Sequence, residues 1–184
     1  MGNMATSPSP KQSSPKPQPP ISSATTPYSD LTLLLVDDNP INLQLLVTYA
    51  TKHNFAHIRA HNGQHAVDAY KAASTQAPLP PHLLAIQGTK STADNLQHPP
   101  FMPSVPRVVL MDINMPELNG YEATRQIRQF EQSRQIPPAT IIALTGLGSA
   151  SAQQEAYACG IDLFLTKPVK LKELTKILQG MGRE

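Results

Sequence analysis

The chain has 184 residues, 19 of them proline, about twice the ordinary share of roughly one in twenty. Fifteen basic against 13 acidic residues leave a formal net charge of +2, and the surplus pair, Lys11 and Lys16, precedes Asp30, so the rest is neutral and offers no basic face for nucleic acid. A lone cysteine, Cys159, excludes an internal disulfide; with no apolar run near membrane-span length and no signal-peptide core, a soluble chain in a reducing compartment, cytoplasmic or nuclear, is expected.

The prolines divide the chain. Seven fall in residues 1–29 and seven in residues 78–106. The first segment is Ser, Thr, Pro, Gln and Lys with almost nothing apolar, so it cannot bury enough surface to offset its ordering entropy and is expected to be a disordered tail. Residues 30–184 then form one domain, with 78–106 as a proline-rich insertion.

Within that domain, Leu31–Val36 reads as a buried strand. Asp37-Asp38-Asn39-Pro40 ends it and opens a helix to about Lys52, with Asn39 as N-cap and Pro40 at the first helical position. Phe55–Ala60 reads as a strand, Asn62-Gly63 as a turn, and a helix runs on to about Ser74. Beyond the insertion, Arg107–Met111 is a buried strand that stops at Asp112, and a helix spans about Gly120–Gln132. Thr140–Leu144 is a strand ending at Thr145; residues 150–159 are a helix closed by Gly160. Asp162–Leu165 is the last strand, followed by Lys167-Pro168 and a helix over about Lys170–Gln179. Five strands alternating with five helices predict an α/β fold, a doubly wound five-stranded parallel sheet of flavodoxin-like type.

In such sheets, sites form at the carboxyl ends of strands. Polar residues collect at those ends: Asp37 and Asp38 after the first strand, Asp112 after the third, Thr145 after the fourth, Lys167 after the fifth. Three converging carboxylates require a cation or a shared proton. Hard oxygen ligands in small number suit Mg²⁺. A lysine and a hydroxyl beside them are what a phosphoryl dianion needs, and a carboxylate can itself accept phosphate as an acyl phosphate.

Four segments carry a resemblance. Leu35-Val-Asp-Asp-Asn-Pro-Ile-Asn42, Val109-Leu-Met-Asp-Ile-Asn-Met-Pro116, Ile142-Ala-Leu-Thr-Gly146 and Phe164-Leu-Thr-Lys-Pro168 resemble the motifs of response-regulator receiver domains, most closely those attached to fungal hybrid histidine kinases. The resemblance covers residues 31–77 and 107–180. It implies a phosphorelay module that takes a phosphoryl group from a phosphohistidine donor, a histidine kinase or a histidine-phosphotransfer protein. In that reading Asp112 is the phosphoacceptor. Asp37, Asp38, Asp112 and the backbone carbonyl of Asn114 hold Mg²⁺. Lys167 contacts the phosphoryl group, Thr145 and Phe164 are the switch pair, and Gly146 offers its backbone N–H. It also implies a cis Lys167–Pro168 bond. The chain would catalyse only its own phosphorylation and dephosphorylation. A haloacid-dehalogenase-like phosphatase and a phosphate-independent scaffold are the alternatives; the former wants a second Asp two residues beyond the nucleophile, where Asn114 stands.

On the first helix, Leu45, Leu46, Tyr49 and Ala50 make one stripe expected to face the core. Ile41, Leu43 and Val47 fall to its side and are expected to be partly exposed, forming a docking surface for the phosphohistidine partner. The insertion enters the third strand at its amino end, so it is expected at the pole opposite the chemistry, with Leu83–Ile86 as its one stretch able to pack back. Deletion of residues 80–104 should then leave labelling intact. His53, His57, His61 and His65 recur every fourth residue, but the strand and the Asn62-Gly63 turn break any common helix, and solvated side chains are expected rather than a metal stripe. Met1–Thr6 matches the N-myristoylation pattern, though one acyl chain anchors only weakly and no stable membrane insertion follows.

Overall fold

A computed structural model describes residues 31–87, 104–146 and 150–181, with the helical backbone alone over 150–153. The tail of residues 1–29, the acylation pattern at Met1–Thr6 and residues 88–103 of the insertion lie outside the described residues. The strands are β1 (Thr32–Val36), β2 (Ala56–Ala60), β3 (Val108–Asp112), β4 (Thr140–Thr145) and β5 (Leu163–Thr166). The helices are α1 (Pro40–Lys52), α2 (Gly63–Ser74), α3 (Pro81–Leu84), α4 (Gly120–Arg134), α5 (Ala150–Cys159) and α6 (Leu171–Met181). All strand pairs are parallel, in the order β2-β1-β3-β4-β5. This is the doubly wound sheet that the alternation of elements predicts, with the short α3 added.

β1 is buried along its whole length because both faces of the sheet are covered. The two-residue period of a strand sends Leu34 and Val36 into one core and Leu33 and Leu35 into the other. The first core takes Val67 and Tyr70 of α2, Ala123 and Ile127 of α4 and Ala156 of α5. The second takes Leu43, Leu46 and Val47 of α1 with Leu174 and Leu178 of α6.

The face of α1 differs from expectation. Leu43 and Val47 are 4% exposed, whereas Leu45 is 44% and Ile41 78% exposed. α1 is apolar over more than half of its circumference, so periodicity offers two overlapping arcs. Tertiary contact chooses between them. The hydroxyls of Tyr49 and Thr175 share a 2.9 Å hydrogen bond with α6, and the buried arc turns toward Leu43 and Val47. Leu43 and Val47 therefore belong to the core and leave the docking surface; Leu45 joins Ile41 outside.

The insertion is also partly a correction. Its first residues are built into the domain: Leu79 and Leu83 are buried in the first core, and α3 places Gln87 against β2. The Gln87 carboxamide accepts from the Arg59 N–H at 2.8 Å and donates to the Arg59 carbonyl at 2.9 Å. Arg59 is one residue from the carboxyl end of β2. The chain thus leaves α2 at the amino pole, climbs the sheet edge, and is described again at Ser104, just before Arg107, whose N–H reaches the Thr32 carbonyl at 3.0 Å at the start of β1. The insertion is not confined to the amino pole.

A buried polar cluster joins α4 to the start of β4 and β5. Glu131 accepts from Tyr70 Oη at 2.7 Å, from the Ala139 N–H at 2.8 Å and from Arg128 at 2.8 Å. Arg128 also donates to the Gly160 carbonyl and to Asp162. Burial, then the bond to Glu131, pushes the Tyr70 hydroxyl pKa well up, so it stays a donor.

Candidate functional site

Parallel strands bring their carboxyl ends to one edge, and the site residues follow from that. Asp37 directly follows β1, Asp112 is the last residue of β3, Thr145 ends β4, and Lys167 directly follows β5. Carboxylate oxygens of Asp37, Asp38 and Asp112 lie within 4.8 Å of one another. Asp37 and Asp112 are buried, and Asp38 is exposed. Lys167 Nζ sits 2.8 Å from Asp37 Oδ2 and 2.8 Å from Asp112 Oδ2. Asp37 Oδ1 accepts from the Asn39 N–H at 3.0 Å and from Asn42 Nδ2 at 3.2 Å. Asp112 Oδ1 accepts from the Asn114 N–H at 3.3 Å.

The electrostatics are those of a crowded acidic pocket. Burial raises the Asp112 pKa above the ordinary carboxylate value; the Lys167 bond opposes this, the Asp37 charge adds to it, and the net direction is up. Burial alone would lower the Lys167 pKa, but its hydrogen bonds to Asp112 and Asp37 and their charges outweigh that, so the ammonium is held more firmly than usual.

The segment after Asp112 is held from below. A Cβ on Gly120 would come within 2.2 Å of the Asp112 carbonyl oxygen, so only glycine lets α4 start this close to the acid. The Gly120 N–H donates to the Ile113 carbonyl at 3.0 Å, and Asn119 caps α4 through the Glu122 N–H at 2.9 Å. Gly120 and Asn42 are the two positioning residues that motif reading misses. Asn42 is a polar residue in the first turn of an apolar helix, five residues from Asp37, and that is the signal the sequence carries for it.

The other expected residues divide. Thr145 is half-buried, and its carbonyl accepts the Lys167 N–H at 2.7 Å. Gly146 is exposed with open space about its Cα. Asn114 is exposed beside Asp112. Phe164 is half-buried at the rim of the first core, edge-on to Tyr157 at 5.1 Å between ring centroids. The Lys167–Pro168 bond is cis. A cleft of about 60 Å³, lined by Asp37, Asn42, Leu45, Lys167, Pro168 and Val169 among others, opens between the acids and the exposed flank of α1. The four spaced histidines scatter: His53 caps α1, His57 lies in β2, His61 in a loop and His65 on α2. Among the described residues, Asp37, Asp38 and Asp112 form the one group of three or more His, Cys, Asp or Glu brought within metal-binding reach. No helix among them is long and apolar enough to cross a membrane.

Fold and site together define a doubly wound α/β domain with an acidic, lysine-bridged pocket at its sheet edge. The chain belongs to the response regulator receiver domain family, whose model matches residues 83–179. Histidine kinase 1 of Arabidopsis thaliana is 32% identical over 154 residues, 82% of this chain and 13% of that protein. The complex of the Saccharomyces cerevisiae histidine phosphotransfer protein Ypd1 with the receiver domain of its downstream response regulator Ssk1 is similar at 28% identity and a TM-score of 0.64, over 84% of this chain and 90% of that chain. The receiver domain of the histidine kinase CKI1 from Arabidopsis thaliana, complexed with Mg²⁺, is similar at 26% identity and a TM-score of 0.62, over 84% and 95%. The chain spans less than a quarter of the length of the curated relatives it matches. Neither the phosphatase nor the scaffold alternative finds support in these likenesses.

Proposed function

We propose that the chain is a phosphoacceptor in a two-component phosphorelay, with Asp112 receiving a phosphoryl group from a phosphohistidine partner in the presence of Mg²⁺. The observation that carries this is a charge imbalance. Three carboxylates lie within 4.8 Å of one another, two of them buried, and one ammonium bridges the buried pair. An uncompensated buried charge is costly, so the pocket is built to take a further cation.

The donors are hard oxygens throughout, which fits Mg²⁺. Asp37, Asp38 and Asp112, with the Asn114 backbone carbonyl, would hold it. Bound there, the ion supplies positive charge that offsets the carboxylates and the incoming phosphoryl oxygens. The rest is the work of the chain. The Asp112 carboxylate oxygen attacks phosphorus; the new O–P bond forms as the N–P bond of the phosphohistidine breaks and its electron pair leaves with the imidazole nitrogen. Lys167, held protonated, faces the oxygens of the transferred group. Thr145 supplies a rotatable hydroxyl and Gly146 an uncrowded N–H. Movement of Thr145 toward the phosphoryl group would be felt at Phe164 and through it at Tyr157 on α5. This is self-modification, not turnover of a separate substrate.

The partner is a histidine kinase or a histidine-phosphotransfer protein, met at the exposed Ile41 and Leu45 beside the cleft. The likeness to a receiver crystallised with Ypd1 supports that choice. The setting is cytoplasmic or nuclear. Intact-mass measurement with Mg²⁺ and a small-molecule phosphodonor tests the reading. One phosphoryl group is expected on the wild type and none on Asp112→Asn. A folded wild type that takes no label, or a variant that keeps it, refutes the assignment.

A further inference from the structure

α1 and α6 lie side by side, joined by the 2.9 Å hydrogen bond between the hydroxyls of Tyr49 and Thr175. Residues three and four apart share a helix face. Leu45 is four residues before Tyr49, so it sits on the flank of α1 that turns toward α6, with the exposed Ile41 a further turn back. Lys172 is three residues before Thr175, so it sits on the flank of α6 that turns toward α1, with Lys176 one turn beyond it. The two rows adjoin. From Pro40 to Thr51, α1 carries no charged side chain. On α6, Lys170, Lys172 and Lys176 are all exposed and line one open depression, with Leu171 and a single acid, Glu173.

The fold does not need these lysines. Lys170 is the N-cap of α6, its carbonyl accepting the Glu173 N–H at 2.9 Å and the Leu174 N–H at 3.1 Å. A lysine side chain has no acceptor with which to cap, and the position favours Ser, Thr, Asp or Asn. Lys172 stands in the first turn, where the helix dipole favours an acid. Lys172 and Lys176 are like charges four residues apart, which repel. Among the described residues none of the three lysines forms an ion pair. Locally unfavourable choices gathered on one face mark a surface kept for something outside the chain.

We propose that this lysine row is the charge-selecting half of the partner surface, and that the phosphohistidine protein met at Ile41 and Leu45 carries carboxylates beside its own apolar patch. The inference rests on the phosphoacceptor reading and adds the chemistry of the partner to it. A protein fits better than a nucleic acid, which would have to lie over the uncharged Ile41–Leu45 row to reach the lysines. The row starts at Lys170, three residues beyond Lys167, and runs away from the acidic pocket. Opposite charge along it steers the encounter and fixes the register in which the partner meets the Asp112 edge.

The test compares two donors, the phosphorylated Saccharomyces cerevisiae histidine phosphotransfer protein Ypd1 and phosphoramidate. In Lys172→Glu/Lys176→Glu, transfer from limiting Ypd1 should fall about tenfold or more, labelling by phosphoramidate should hold, and the melting temperature should stay at or above that of wild type, since an acid now stands in the first turn of α6. Transfer to wild type should slow as salt rises, and transfer to the variant should lose that dependence. Lys170→Ser supplies the missing cap, so it should melt higher and yet accept phosphate from Ypd1 more slowly. Equal transfer to wild type and double variant, a wild-type rate indifferent to salt, or a variant that loses phosphoramidate labelling in the same proportion overturns the lysine row. So does a wild type labelled by phosphoramidate but not by Ypd1. A wild type that phosphoramidate itself fails to label refutes the phosphoacceptor reading, and this inference with it.

Discussion

Removing the Lys167 ammonium should make the domain depend on divalent cation for its stability. In Lys167→Ala two buried carboxylates, Asp37 and Asp112, lose the group that sits 2.8 Å from each. Breaking a buried pair by deleting one partner costs about 3–5 kcal/mol. The lysine side chain is 23% exposed, and water can partly take its place, so a loss of about 2–4 kcal/mol is expected in metal-free buffer. The same change removes the charge that competes with a cation for these oxygens. If half the loss returns on cation binding, Mg²⁺ affinity rises by about five- to thirtyfold over wild type. Urea unfolding followed by circular dichroism, with and without Mg²⁺, measures the first quantity, and calorimetric titration the second. The variant should be much weaker than wild type without Mg²⁺ and should close about half of the gap with it. An equal deficit in both buffers, or weaker Mg²⁺ binding by the variant, would mean that the lysine does not balance the acids.

Four further outcomes follow from other contacts. Burial raises the Asp112 pKa above its unfolded value of 3.8, so above that pH the folded state binds more protons than the unfolded one and loses stability as pH rises; metal-free Asp112→Asn should therefore melt above wild type at neutral pH, with the gap narrowing as pH falls through the carboxylate range. Ile41→Glu and Leu45→Glu should leave folding and small-molecule labelling intact but slow transfer from a phosphohistidine partner by about tenfold, whereas Val47→Glu should unfold the domain, because Val47 is buried; partner transfer that is unchanged in the first two removes the docking face. Gly120→Ala puts a Cβ 2.2 Å from the Asp112 carbonyl oxygen and should cost about 1–3 kcal/mol and reduce labelling, both read on the same purified variant. Leu83→Ala should cost about 2–5 kcal/mol by thermal or urea unfolding, while deletion of residues 88–103 with a short linker should leave stability and labelling near wild type.

The legible part of this molecule is the part governed by local chemistry. Val36 and Met111 each end an apolar run at an aspartate, and Asn39 precedes a helix that it does cap. Such signals are written in two or three adjacent residues. The illegible part depends on distant ones. Whether Leu43 or Leu45 faces the core is decided by where α6 lies, and Thr175 is 126 positions from Tyr49. Gly120 reads only as the first residue of a helix until α4 is laid against the Asp112 carbonyl. Gln87 carries no local signal at all: its role exists only because β2 is an edge and α3 brings the amide to it.

The insertion links these two kinds of information. Its prolines mark it as poor core material, yet Leu79 and Leu83 are buried in the first core, so core packing continues past residue 78. The strand it covers is also the strand beside the site. Arg59 is held by Gln87, and the adjacent Ala60 carbonyl accepts the Asp37 N–H at 3.3 Å, which bears on how the first acid is set. A segment that begins at the amino pole therefore ends its described course two hydrogen bonds from the acidic pocket. Within its described course the added chain satisfies an edge that β2 would otherwise leave open at Arg59, which is why it behaves there as part of the domain and not as a loop hung from it.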